Sequence, residues 1–86
     1  MDYGEAARRT AVLEKLTRRQ KDVLKAFATG RDREAVASQL HISVKTVDSH
    51  KTVILDECRN AWKLPEETHL GYRFIAEKFG GFSLAS

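Results

Sequence analysis

The chain has 86 residues, 42% of them hydrophobic and 31% charged, with a formal net charge of +3. That is the length of one domain, too apolar for a chain disordered throughout, and small enough to bury only about 60–65% of its unfolded surface. A single cysteine, Cys58, excludes an internal disulfide, and no run nears the roughly 18 consecutive apolar residues of a membrane helix.

Residues 1–5 lack the basic stretch and following apolar run of a signal peptide, so a cytoplasmic protein is expected. The charge is unevenly spread. Residues 16–55 hold eight basic and four acidic side chains, residues 1–15 three of each, and residues 56–86 four basic against five acidic. A local basic excess attracts phosphate; the same residues also suit a solvated surface.

Residues 3–15 suit a helix with a weak apolar stripe of Ala7, Val12 and Leu13 or Leu16. Thr17-Arg18-Arg19-Gln20 is a capping box that starts the next helix, with Leu16 placed to staple onto it. Val23, Leu24, Phe27 and Ala28 follow at helical spacing, and Gly30 ends the element. Asp32 caps a short helix through Leu40, with Val36, Ala37 and Leu40 inward. His41-Ile42 makes a tight connection. Ser43 then caps a helix from Val44 to about Arg59. Val47, Ile54 and Cys58 line its inner side, with Val53 or His50 on the flank, while Lys45, Thr46, Asp48, Ser49, Lys51 and Thr52 make a polar outer side. Pro65 suits the first turn of a last helix, Glu66 to Phe79, with Glu66 and Glu67 at its positive end and Lys78 at its negative end. Leu70, Phe74, Ile75 and Phe79 form its apolar stripe; Gly80-Gly81 ends it, and residues 82–86 form a loose tail.

The expected fold is therefore all-α, a small bundle of four to five helices. It divides into an N-terminal helix (1–15), a core (16–60) and a C-terminal helix (61–82). Within the core, helices 33–40 and 44–58 are joined by about three residues. That is the helix-turn-helix arrangement, in which the second helix enters the major groove.

The residues that fill this frame resemble a known family. Leu16-Thr17-x-Arg19-Gln20-x-x-Val23-Leu24, Gly30, Val36-Ala37-x-x-Leu40, Ile42-Ser43-x-x-Thr46-Val47-x-x-His50 and Ile54 are similar to the LuxR-type (GerE or FixJ effector) helix-turn-helix, and no receiver or ligand-sensing domain is expected beside it. The resemblance implies that the helix from Ser43 is the recognition helix. On this resemblance Asp48, Ser49 and Thr52 face base edges, while Lys45, Thr46, His50 and Lys51 lie near phosphates; Val47 and Ile54 match core positions. Arg19 and Arg33 complete the candidate DNA-binding set. For His50 a packed structural role is also open and is favoured over the phosphate contact, the two being compatible.

The family also often dimerises through its fourth helix, here residues 66–79. Trp62, Leu70, Phe74, Ile75 and Phe79 are accordingly the candidate dimer interface, since so small a monomer has little core to shelter large aromatics. The alternative is that they fold back onto the core or onto helix 3–15. The family usually has glutamate at Gln20 and Ala35, and leucine at Cys58. Asp48, Asp56 and Glu57 are acidic where it is neutral or basic. An aspartate can accept from cytosine N4, so Asp48 reads as either a base contact or a source of repulsion.

The leading function is sequence-specific binding of double-stranded DNA by a homodimeric bacterial transcription regulator. The second is a helix-turn-helix turned toward a protein such as RNA polymerase or another regulator. His41, His50, Cys58 and His69 lack zinc-ligand spacing. Without paired carboxylates, a nucleophile–base set or a glycine-rich phosphate loop, no enzyme, cofactor or metal is expected.

Overall fold

The computed structural model describes residues 3–80, so the tail expected at 82–86 lies outside the described residues. Five helices occur among them: α1 (Tyr3–Lys15), α2 (Arg18–Ala28), α3 (Arg33–Leu40), α4 (Val44–Ala61) and α5 (Tyr72–Phe79). Among these residues no helix is long and apolar enough to cross a membrane.

Three helix starts are set by short polar side chains. Thr17 Oγ1 accepts from Gln20 N at 3.2 Å while Gln20 Oε1 accepts from Thr17 N at 2.9 Å, which is the reciprocal box expected from sequence. Asp32 Oδ1 accepts from Ala35 N at 2.9 Å, and Ser43 Oγ from Thr46 N at 3.1 Å. Each such cap contributes about 1 kcal/mol.

Two of the turns use left-handed residues with full side chains. His41 (φ 58°) follows α3, and Ile42 N donates back to Ala37 O at 3.0 Å. Lys63 (φ 53°) follows α4, with Leu64 N donating to Arg59 O at 2.9 Å. Both are the backward-reaching closure that satisfies a helix's last carbonyls. Gly30, at φ 91°, makes the corresponding turn after α2 where a side chain would be strained.

One core serves all five helices. Val12 and Leu16 enter it beside α1, Val23, Leu24 and Phe27 from α2, Val36 and Ala37 from α3, Val47, Ile54, Leu55 and Cys58 from α4, and Ile75 and Phe79 from α5. α2 and α3 pack on α4, α1 packs on α4, and α5 packs on α2. Ala7 is exposed, so the stripe of α1 is narrower than expected.

Two expectations are corrected here. The last helix begins at Tyr72, not Glu66, because Arg59 reaches out of α4 and claims the intervening backbone. Its Nη1 donates to Pro65 O at 2.6 Å and to Thr68 O at 2.9 Å, which holds the segment as a looped turn. The second correction concerns the dimer candidates. Ile75 and Phe79 are 0% exposed within a single chain, so they are core residues and are not available to a second copy. Phe79 packs against Trp62 with ring centroids 6.2 Å apart.

The other three candidates, Trp62, Leu70 and Phe74, are half-buried against that core. Trp62 Nε1 donates to Glu5 Oε1 at 3.2 Å, and its ring meets Phe74 edge-on at 5.5 Å. Lys78 Nζ donates to the same Glu5 oxygen at 3.3 Å, and Arg9 Nη1 reaches Lys78 O at 3.4 Å. The first and last helices are thus joined by a polar network centred on Glu5.

Candidate nucleic-acid interface

α4 is amphipathic by construction. Val47, Ile54 and Cys58 recur at helical spacing and are fully buried, which fixes the rotation of the helix about its axis. That rotation turns Lys45, Thr46, Ser49 and Thr52 outward, all exposed, with Asp48, His50 and Lys51 half-buried along the flanks. Residues 45, 48, 49 and 52 fall on one stripe at i, i+3, i+4 and i+7.

The hydroxyls on the outer side are already ordered. Ser49 Oγ donates to Lys45 O at 3.2 Å and Thr52 Oγ1 to Asp48 O at 3.0 Å, while Ser43 and Thr46 share a 2.9 Å hydroxyl–hydroxyl bond. A hydroxyl that donates to its own helix keeps its lone pairs for an incoming donor.

Asp48 is held by two cations. Its Oδ2 accepts from Arg33 Nη1 at 2.8 Å, and its Oδ1, shielded from solvent, lies 3.9 Å from Lys51 Nζ. The carboxylate is therefore turned toward its own chain's cations. Sequence reasoning found all three residues but not this pairing; Arg33 and Asp48 are 15 positions apart and are brought together only by the turn between α3 and α4.

Arg19 lies behind the turn. Its Nη2 donates to Leu40 O at 2.8 Å and its Nη1 to Asp22 Oδ2 at 3.4 Å, so it braces the end of α3. Lys51 also lines an open groove of about 520 Å³ with His69, Tyr72 and Arg73 at the start of α5. The groove leaves no local signature in the sequence, because Pro65, Glu66 and Glu67 favour a helix where this loop forms.

Cys58 is inert. Burial, and secondarily the negative charge of Glu57, pushes its thiol up to about 12. It therefore carries no thiolate near neutral pH to act as nucleophile or ligand.

A family model described as bacterial regulatory proteins, luxR family (GerE), matches residues 14–57, about half of the chain. The matched stretch runs from the end of α1 through most of α4 and contains the whole helix-turn-helix. No curated protein and no solved structure matches the chain.

Proposed function

This chain belongs to the luxR family of bacterial regulatory proteins, a family of DNA-binding transcription regulators and not of enzymes, and we propose that it reads double-stranded DNA by laying the outer side of α4 in the major groove. The observation that carries this reading is the exposure of Lys45, Thr46, Ser49 and Thr52 on a helix whose opposite side is locked into the core. A helix of this diameter fits the major groove, and residues near its N-terminus reach base edges. Lys45, Lys51 and Arg33 supply phosphate contacts. Arg19, with two of its guanidinium nitrogens engaged by the chain, positions the turn and offers its remaining N–H groups to the backbone.

The reading extends to a homodimer, which would place two copies of α4 in successive major grooves one helical turn apart. Trp62, Leu70 and Phe74 are the side chains we assign to that seam, since each is half-buried in the single chain and lies around α5.

Anisotropy of a labelled duplex, titrated with protein at several salt concentrations, tests the proposal. Binding should weaken steeply with salt, and Lys45→Gln should lower the slope of log K against log salt by about 0.9. A protein that ignores every duplex at low salt refutes it. The second reading, a protein-facing helix-turn-helix that docks on RNA polymerase or another regulator, is favoured only by the acidic Asp56 and Glu57 on α4, and that refuting result would promote it.

A further inference from the structure

The groove between α4 and the start of α5 carries three basic side chains: Lys51, His69 and Arg73. Arg73 and His69 are exposed, and Tyr72 contributes its half-buried ring, stacked on Phe27 with centroids 5.8 Å apart. The groove is not isolated from the recognition helix. Lys51 lines it and also faces Asp48, which holds Arg33 at the start of α3. Arg33, Lys51 and Arg73 therefore lie along one flank of α4, contributed by α3, α4 and α5 in turn.

The geometry points to this groove as a second contact for the DNA backbone, on the flank of the recognition helix. The inference rests on the reading of α4 given above. An α-helix with its side chains is about 10–12 Å across and the major groove about 12 Å wide, so elements that flank an inserted helix meet a phosphate strand. On this flank the elements are α3 and the start of α5. Arg33 meets the strand at one point, and Lys51 with Arg73 meets it farther along the helix. His69 adds a ring N–H. Glu77, one turn beyond Arg73, also lines the groove, and its carboxylate disfavours an anion beside it. Leu70 and Phe74, assigned above to the seam between copies, also line this groove, so the strand is met by its charged rim at Lys51 and Arg73 and not by its apolar wall. Contacts to phosphate carry no sequence information, so this groove adds affinity and fixes register without choosing the operator.

The test compares wild type, Arg73→Gln and His69→Gln with a control, Lys15→Gln, by anisotropy on two labelled duplexes of unrelated sequence between about 50 and 200 mM salt. Lys15 is exposed and lines a different opening with Glu57 and Asn60, which lie about 9–14 Å along α4 from Lys51. Arg73→Gln should reduce the salt slope by about 0.9 and weaken both duplexes by the same factor. His69→Gln should weaken both without changing their ratio, and Lys15→Gln should match wild type. Thermal melts of the Arg73 variant should overlay wild type, because the side chain is exposed. If wild type binds DNA and Arg73→Gln keeps the same slope, the groove does not contact the backbone. An unchanged slope together with an altered oligomeric state would instead give the groove to a second copy and overturn the inference. Failure of wild type to bind any duplex removes this contact and the reading of α4 together.

Discussion

Replacing Asp48 with asparagine separates its two charge effects. In the folded chain the carboxylate faces Arg33 at 2.8 Å and Lys51 at 3.9 Å, with side-chain exposures of 36% for Asp48, 53% for Arg33 and 25% for Lys51. Pairs this open contribute roughly 0.2–1 kcal/mol each. Asparagine keeps the volume and can still accept from Arg33, so the expected loss of folding stability is about 0.5–1 kcal/mol. For a domain of this size that lowers Tm by roughly 2–8 °C. On DNA the sign reverses. A negative charge about 7 Å from a phosphate is repelled by about 0.6 kcal/mol in water, and the substitution also releases Arg33 and Lys51 from their internal partner. Affinity for any duplex should rise about 3–10-fold near 0.1 M salt, with the salt slope steeper by up to about 0.9 for each phosphate gained. Melting curves and anisotropy titrations on the same preparations give both numbers. Weaker binding by Asp48→Asn would refute the masking role. A changed base preference at one position, found by selection from a random duplex library, would show that the carboxylate accepts from a base amino group.

Two further outcomes follow from burial. Phe79→Ala should destabilise the single chain by about 3–5 kcal/mol, enough to abolish a cooperative melt in so small a domain, whereas Phe74→Ala should leave a folded protein with a smaller solution mass than wild type; equal melts for the two variants would contradict the packing of α5. Cys58 binds its proton more tightly folded, at about 12 against 9.0 for the ordinary thiol. Its contribution is complete below about pH 9, and above it the unfolded chain deprotonates first. Stability should then fall by about 1.4 kcal/mol per pH unit more steeply in wild type than in Cys58→Ala, read by denaturant titration; parallel curves for the two proteins would contradict the burial of the thiol.

The caps at Thr17, Asp32 and Ser43 were legible because each is a local exchange between residues three apart. The outer stripe of α4 was legible because Val47, Ile54 and Cys58 recur with the helical period and leave only one orientation. The start of α5 was not, because a guanidinium from the previous helix decides it. Local signals at Pro65, Glu66 and Glu67 pointed to a helix that Arg59 overrides. The division of the aromatic side chains of residues 62–79 between core and surface is hidden from the sequence for a related reason. Whether Phe79 faces a second copy or its own core depends on Trp62 and on the placement of α2, and neither is written in the spacing of the stripe. The Arg33–Asp48 pair and the Glu5 network join positions 15 to 73 apart, beyond any periodic pattern.

Glu5 bonds Trp62 and Lys78 at once, and Arg9 closes on the carbonyl of Lys78. Terminal helices of small domains commonly fray by themselves, at little free-energy cost and ahead of global melting. Here the two outermost helices are clasped to each other, so releasing either one strips partners from the other. Protection of backbone amides against hydrogen exchange should accordingly be lost together in α1 and α5, as one concerted opening and not as two separate ones.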